Sequence, residues 1–238
     1  LIIAIDIPTG VDADTGQIRG TAVKADYTVA LGLAKPGLLI YPGAQYVGKL
    51  SVADIGIPFK LLVDDSIKQN IVTTGSIKAI VGSREPDAHK GTTGKAIVIA
   101  GSQGMTGAAA LTATAVVRAG AGLVTLGIAE SLHDIMEVKL TEVMTRPLPE
   151  SVGGIIGRKA LPHIEEMAAK SNVLAIGPGL GRNDETMAVV REIIKSAECP
   201  LVIDADALNA LVGYTDLLNH TKALPVVTPH PGEMARLM

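Results

Sequence analysis

The chain has 238 residues with a formal net charge of −3, and 47% of them are hydrophobic, so it can bury one large core or two smaller ones. Aromatic residues make up only 2% of the chain and the basic residues form no cluster, which argues against a nucleic-acid partner, since that needs stacking rings and basic grooves. The one cysteine, Cys199, excludes an intrachain disulfide and indicates a reducing compartment, which we expect to be the cytoplasm.

The first block, residues 1–58, reads as three strands joined by turn-rich loops. Its opening strand, LIIAI, runs into Asp6 and then into a Pro-Thr-Gly turn. A buried strand that delivers a carboxylate into a tight loop is typical of α/β enzymes, although Asp6 could also stabilise an Asx-type turn before Pro8. Two further strands are predicted within residues 25–33 and 49–58.

Residues 59–90 are more charged and less periodic, which predicts a linker or the lead-in to a second domain. From Lys95 onward, short apolar runs alternate with helical stretches. This alternation predicts βαβ units on a parallel sheet, and therefore an α/β fold. The predicted strands lie within residues 95–101, 122–129, 171–177, 199–206 and 224–230, and the predicted helices within residues 106–120, 184–197 and 207–211.

The most membrane-like stretch, residues 107–129, has Arg118 in its middle, followed by Gly120 and Gly122. A helix that ends at a glycine turn and leads into a buried strand explains this pattern better than a membrane span. We therefore expect no membrane partner.

Four of the predicted strand ends carry glycines or polar side chains. They lead into residues 102–107, residues 178–181, the acidic segment 204–209 and the segment 230–233. Ligands of open parallel sheets bind beyond the carboxyl ends of the strands, and glycine loops at helix N-termini offer N–H groups to anions. The sequence therefore predicts a phosphate-bearing ligand at this edge.

Each of these signals also has a structural interpretation. Glycines are needed in any tight turn, Asp206 is equally well explained as the N-cap of a short helix, and Glu233 is better explained as an acid at a helix start. His230, between two prolines, is harder to explain by packing. The other histidines show no metal-ligand spacing, and Cys199 before Pro200 is interpreted as buried and inert.

Four segments, in this order, resemble the ADP-dependent NAD(P)H-hydrate dehydratase family: HKGTTGKAIVIAGSQGMTGAAALTATAVVRAGAGLV, IGPGLGRN, PLVIDADALNAL and TPHPGE. The earlier segments AIDIPTGVDADTG and KPGLLIYPGAQYVGKLSVADIGIP resemble the end of the NAD(P)H-hydrate epimerase domain, which many bacteria and archaea fuse ahead of the dehydratase. Nearly the whole chain is covered by this resemblance.

The resemblance implies a fold in two parts. Residues 1–58 would be the C-terminal part of a Rossmann-like epimerase domain, residues 59–90 a linker, and residues 91–238 the N-terminal part of a ribokinase-like dehydratase domain. It further implies a small-molecule substrate, NADHX or NADPHX (the hydrates of NADH and NADPH), and a homo-oligomer.

For the first block, the resemblance gives roles to two residues. Asp6 stands where the family contacts the hydrated nicotinamide ring, and is the candidate acid/base. Thr9 stands where the family binds K⁺, usually through Ser, and keeps the hydroxyl. An acid beside a monovalent cation could assist ring opening or water transfer at the carbon that bears the hydroxyl.

For the second block, the resemblance implies that Ala121, Gly179, Gly181 and His230 contact the hydrated dinucleotide. The family reaction phosphorylates the hydrate's hydroxyl with ADP as the donor and Mg²⁺ as the metal, and then expels phosphate to give NAD(P)H and AMP. Phosphorylation turns a poor leaving group into a good one, and the restored conjugation of the ring favours elimination.

Two other functions share these features. A ribokinase-like small-molecule kinase has the same fold and glycine loops, and would accumulate a phosphorylated product. A non-catalytic dinucleotide-binding remnant would bind dinucleotides without turning them over.

The family holds ADP with a Lys-Gly segment and a GxGD loop, whose aspartate is the expected base, and both follow the histidine motif. No GxGD occurs in this sequence, whose last residue is Met238. We therefore expect an internal piece of a longer two-domain enzyme, one that catalyses neither reaction as these 238 residues alone. Measurable ADP-dependent recovery of NADH from NADHX by these residues would contradict this expectation.

Overall fold

The computed structural model describes residues 1–151 and 153–238, which form two compact units, Leu1–Ser83 and Arg84–Met238. The boundary between the units falls within the predicted linker, residues 59–90. The predicted α/β fold class is confirmed, because both units are built on parallel sheets.

The first unit contains a three-stranded parallel sheet with its second strand in the middle. The middle strand is buried at alternate positions, and the small core beneath it consists of Ala30, Leu38 and Val47. Buried Thr28 donates its hydroxyl to the carbonyl of Val47 over 2.7 Å, which satisfies the one polar side chain in this core. The elements are β1 (Ile3–Ile5), β2 (Tyr27–Leu31), β3 (Lys49–Ala53), α1 (Phe59–Leu62) and α2 (Thr74–Val81).

The second unit is built on a six-stranded parallel sheet, whose strands are β4 (Lys95–Ile99), β5 (Leu123–Ala129), β6 (Met144–Leu148), β9 (Val173–Ile176), β10 (Leu201–Ile203) and β11 (Pro225–Val227). A separate hairpin pairs β7 (Glu150–Ser151) with β8 (Ile155–Ile156). The strand order in the six-stranded sheet is β11-β10-β9-β4-β5-β6. Its helices are α3 (Thr106–Ala119), α4 (His133–Lys139), α5 (Leu161–Ala169), α6 (Asp184–Ser196), α7 (Asp206–Ala210) and α8 (Pro231–Leu237).

Side chains of β4 alternate between two separate cores. Ile97 and Ile99 pack with α5 and α6 on one face, whereas Ala96 and Val98 pack with α3 and α4 on the other. A strand covered on both faces must be apolar at nearly every position, which is why this segment reads as a continuous hydrophobic run rather than an alternating one.

The segment 107–129 forms α3, a turn and β5, as its sequence predicts. Gly120 ends α3 in the left-handed conformation with φ of +110°, and its N–H bonds to the last turn. No helix in the described part of the chain is long and apolar enough to cross a membrane.

Sequence analysis left residues 130–170 unassigned, and the structure has α4, β6, the β7–β8 hairpin and α5 there. Strand β6 carries Pro147, which lacks the N–H needed for a central strand, and it lies at the edge of the sheet. Tertiary pairing with β5, rather than any sequence pattern, forms this strand.

Replacing Leu126 with Ala is expected to destabilise the second unit by about 3 kcal/mol, because its side chain is fully buried between the sheet and its helices. Amide hydrogen exchange of β4 should accelerate by about 100-fold. The matched control is Leu111→Ala, whose side chain is 75% exposed on α3, with a change of about twofold or less. Equal acceleration by both variants would contradict this account of the core.

Candidate functional site

Loops at the carboxyl edge of the six-stranded sheet bond directly to one another. After β4, Gly101 donates its N–H to the carbonyl of Pro178 over 2.8 Å, and Ser102 donates its hydroxyl to the carbonyl of Gly179 over 2.8 Å. The loops after β4 and β9 are therefore held together as one surface.

Two of the glycines in this surface are required by close backbone approach. A Cβ on Gly177, whose φ is +129°, would lie 1.8 Å from the carbonyl oxygen of Asp204. A Cβ on Gly179, whose φ is +68°, would lie 3.0 Å from both the carbonyl of Met105 and the Cβ of Ala108. At both positions the backbone has a conformation that L side chains rarely adopt, and there is no room for a Cβ. Glycine is therefore required for the loops to pack this closely at the carboxyl edge of the sheet.

Asp206 joins the loop after β9 to the loop after β10. Its carboxylate accepts the N–H of Gly181 over 2.9 Å, the Nε–H of Arg182 over 3.4 Å and the amide of Asn209 over 3.4 Å. The N-cap position of α7 is Ala205, at φ of +50° and without a side-chain cap, so the structure does not support the N-cap interpretation of Asp206. Its carboxylate holds two loops together instead.

The polar network continues from α7 to α8. Arg236 donates Nε–H to the Oδ1 atom of Asn209 over 3.2 Å, so α8, which follows His230, is linked by a side chain to the segment 204–209. Both Arg182 and Arg236 are exposed and use Nε for these bonds. Their remaining guanidinium N–H groups add positive charge at the edge where an anion is expected.

His230 is the N-cap residue of α8, which begins at Pro231. Its Nδ1 atom accepts the N–H of Gly232 over 3.0 Å and the N–H of Glu233 over 3.4 Å, so the ring proton of the neutral imidazole is on Nε2. The carboxylate of Glu233, which is buried, accepts the N–H of His230 over 2.9 Å, as in a capping box. The interpretation of Glu233 as a helix-start acid is confirmed. The Nε2 atom of His230 lies 3.4 Å from Oε1 of Glu233, on a side chain that is 63% exposed.

Ala121 lies at the opposite edge of the sheet from Gly179, Gly181 and His230. It follows α3, donates its N–H to the carbonyl of Val116, and precedes the first residue of β5. A strand of seven residues separates the two edges by about 20 Å, so the structure does not bring Ala121 into this group. Ala108, in the first turn of α3, lies against Gly179 instead, and the glycine-rich loop ahead of it was the available signal.

In the first unit, Asp6 follows β1 with φ of +66°, a left-handed conformation that Asp tolerates better than most residues. Its Oδ1 atom accepts the N–H of Leu31 over 2.9 Å and a hydrogen bond from the Lys35 ammonium. Lys35 also donates to the carbonyl of Leu31 over 2.9 Å. Because these bonds reach from β1 to the loop after β2, an Asx-type turn before Pro8 is not what holds this carboxylate.

The hydrogen bond from Lys35, followed by that from the Leu31 N–H, lowers the pKa of Asp6 from its ordinary value. Asp6 is therefore a carboxylate at neutral pH. Sequence analysis missed Lys35 as a partner of Asp6. The available signal was a lysine beside Pro36 in the loop after β2, the strand that pairs with β1.

Thr9 is exposed in the loop after β1, and its carbonyl accepts the N–H of Val23 over 2.9 Å. Across residues 1–151 and 153–238 there is no group of three His, Cys, Asp or Glu side chains that could hold a metal ion. The assignment of K⁺ to Thr9 stays a prediction.

An apolar cavity of about 710 Å³ lies in the first unit beside the loop that carries Lys35. Ala34 and Pro36, on either side of Lys35, line it together with Leu62 and Ile67. Its other lining residues are Leu33, Leu39, Ile40, Gln69, Asn70 and Ile71.

Parallel strands covered by helices on both faces, with glycine loops along their carboxyl edge, define a doubly wound α/β protein. A ribokinase-like superfamily protein from Enterococcus faecalis shares this fold over 71% of this chain and 59% of its own, with a TM-score of 0.55 at 23% identity. An ADP/ATP-dependent NAD(P)H-hydrate dehydratase from Bacillus subtilis, crystallised with ATP and Mg²⁺, is 29% identical, with a TM-score of 0.53 over 70% of this chain and 55% of its own.

The chain belongs to the NAD(P)H-hydrate dehydratase family, whose model matches residues 96–238. A second model, the YjeF-related protein N-terminus, matches residues 1–37. Bifunctional NAD(P)H-hydrate repair enzymes from Moorella thermoacetica and Thermofilum pendens are 44% and 40% identical over 99% and 100% of this chain. The chain spans 44% of the length of each of these two curated relatives.

Replacing Asp206 with Ala is expected to release the Gly181 amide, because it removes a charged acceptor. A hydrogen bond to a charged group contributes about 1.5–3 kcal/mol, so exchange of the Gly181 amide should accelerate at least about tenfold, as measured by NMR. Asp216→Ala, an exposed carboxylate in the segment after α7, is the control and should leave Gly181 unchanged. If the Gly181 amide exchanges at an unchanged rate in Asp206→Ala, Asp206 does not hold the two loops together.

Proposed function

We propose that residues 91–238 form the part of an ADP-dependent NAD(P)H-hydrate dehydratase that binds the hydrated dinucleotide. The observation that carries this proposal is the convergence, at one edge of a parallel sheet, of the Gly179–Gly181 loop and the capping His230. Open parallel sheets bind ligands at this edge, and the family match covers these loops.

In this proposal the loops bind and orient the substrate. Exposed backbone N–H groups and the guanidinium groups of Arg182 and Arg236 would attract the pyrophosphate, and the Nε2–H of His230 would donate to the hydrate. Ala108 lies against Gly179 and bounds the same surface, so we now place it, rather than Ala121, beside the substrate.

The proposed reaction transfers the terminal phosphoryl group of ADP to the hydroxyl of NADHX or NADPHX and releases AMP. Loss of the new phosphate and of a ring proton then gives NADH or NADPH, so ADP and hydrate become AMP, phosphate and reduced dinucleotide. The Bacillus subtilis structure was crystallised with ATP and Mg²⁺, which supports a nucleotide donor with Mg²⁺. The described residues offer no cluster suited to a divalent cation, so no step is assigned through Mg²⁺ here.

For residues 1–58 we propose the final part of a domain that interconverts the R and S forms of the hydrate, with residues 59–90 as the connection to the dehydratase part. Asp6 supports this proposal, because it is an ionised carboxylate at the end of a parallel strand within the matched residues 1–37. In that exchange the original hydroxyl first takes up a proton and leaves the ring as water, and Asp6 would then accept the proton of the water that adds to the opposite face. Thr9 would supply one hydroxyl oxygen to K⁺, and no step is assigned through that ion.

Replacing His230 is expected to weaken binding of NADHX to this chain about tenfold, because one buried hydrogen bond to the ligand is lost. The sharper variant is His230→Asn, since Asn remains a good N-cap and preserves α8 while removing the Nε2–H donor. Isothermal titration with NADHX measures the affinity, and His220→Ala, an exposed histidine outside the site, is the control. Equal affinity of His230→Asn and the unaltered chain would overturn the role of His230.

Activity is tested in the longest natural protein that contains these residues. Supplied with NADHX and ADP, it is expected to regenerate the nicotinamide absorbance of NADH while releasing AMP and phosphate in equal amounts. Accumulation of a phosphorylated hydrate would indicate a small-molecule kinase instead, and binding without turnover would indicate a dinucleotide-binding protein.

A further inference from the structure

The carboxylate of Asp6 uses its two oxygens differently. Oδ1 accepts the N–H of Leu31 and a hydrogen bond from the Lys35 ammonium. Within residues 1–151 and 153–238, no group donates a hydrogen bond to Oδ2. One oxygen is therefore committed to the fold, and the other is an open acceptor.

Lys35 is held in place by more than this ion pair. It also donates to the carbonyl of Leu31 over 2.9 Å, the same residue whose N–H reaches Asp6. Asp6, Leu31 and Lys35 thus form a closed hydrogen-bonded ring at the end of β1 and β2. Both side chains are only partly exposed, 26% for Lys35 and 37% for Asp6, so the ring is more than a solvated surface pair.

The backbone at Asp6 needs such a restraint. Its φ of +66° is sparsely populated for a residue with a Cβ, and such a conformation persists only where the surroundings enforce it. The N–H of Asp6 bonds to the carbonyl of Val29 over 2.8 Å, which fixes the main chain, while Lys35 and Leu31 fix the side chain.

We propose that Lys35 is a positioning residue for Asp6, which clamps Oδ1 so that Oδ2 alone meets the hydrated ring as a proton acceptor. This inference rests on the proposed epimerase role of Asp6, because it deepens that role by naming what orients the carboxylate. Lys35 acts through Asp6 and does not itself contact the ring.

The charge of Lys35 has a second consequence. In the described part of the chain, Lys35 is the one charged side chain that acts on the pKa of Asp6, and it lowers that pKa. When folding lowers the pKa of a carboxyl group, the group adds to the free energy of unfolding at pH values above its unfolded-state pKa. This contribution is lost as the pH falls through the lower, folded-state pKa. Removing Lys35 should therefore raise the pH at which Asp6 takes up a proton.

The first test is an NMR titration of the Asp6 carboxyl carbon in this chain. Lys35→Met, which keeps the length of the side chain and removes the charge, is expected to raise the pKa of Asp6, whereas Lys35→Arg should restore most of the lowered value. Lys24→Met removes the same charge from an exposed position and is the control. Protection of the Asp6 amide, which bonds to Val29, reports whether the loop has stayed folded. An Asp6 pKa that is equal in Lys35→Met and the unaltered chain overturns the proposal.

The second test is epimerisation of NADHX by the longest natural protein that contains these residues. Lys35→Met is expected to lower kcat at least about tenfold with little change in KM, and to move the acid limb of the pH profile to higher pH. A fall in kcat with an unmoved acid limb would overturn the proposal. Full epimerisation by Asp6→Asn would overturn the proposed role of Asp6, whereas the NMR titration would still decide whether Lys35 clamps this carboxylate.

Discussion

The hydrogen bond from the Gly181 amide to the Asp206 carboxylate is the interaction on which the edge of the larger sheet depends. Parallel strands end side by side, so the loops that follow them must share a small area while their N–H and C=O groups stay paired. Asp206, at the start of α7, meets this requirement by accepting from the loop after β9 and from Asn209 of its own helix, and Asn209 in turn accepts from Arg236 on α8. The site is therefore a single bonded surface rather than a set of independent loops.

In the smaller sheet, too, an Asp carboxylate accepts a main-chain N–H from a neighbouring segment. Asp6, after β1, accepts the N–H of Leu31 at the end of the neighbouring strand, as Asp206 accepts the N–H of Gly181. In both places a carboxylate that follows one strand accepts a main-chain N–H from the end of the neighbouring strand or from the loop after it, and a cation contacts the carboxylate as well, Lys35 in one case and Arg182 in the other. A carboxylate in this position is both a structural acceptor and a group that chemistry can use.

His230 illustrates how one side chain can serve the fold and the site. Its Nδ1 atom satisfies two N–H groups at the start of α8, which would otherwise be unpaired, and this leaves Nε2, 3.4 Å from Oε1 of Glu233, to carry the ring proton. Capping therefore orients the donor. The prolines on either side restrict the loop, so little conformational freedom remains to be lost when a ligand binds.

The sequence by itself determined the parallel α/β class, most strands and helices, and the loops of Gly179, Gly181 and His230. The spacing of apolar residues and the glycines at turns are local signals that can be read from the sequence. Tertiary structure alone decided which groups meet. Ala121 lies at the opposite edge of the sheet from Gly179, and Ala108 lies beside Gly179, because a residue before a strand and a residue after it are at opposite edges. The partnership of Asp6 with Lys35 spans 29 residues, and that of Gly181 with Asp206 spans 25, since each depends on which strands lie side by side. Strand order is set by packing over the whole unit, and no local pattern encodes it.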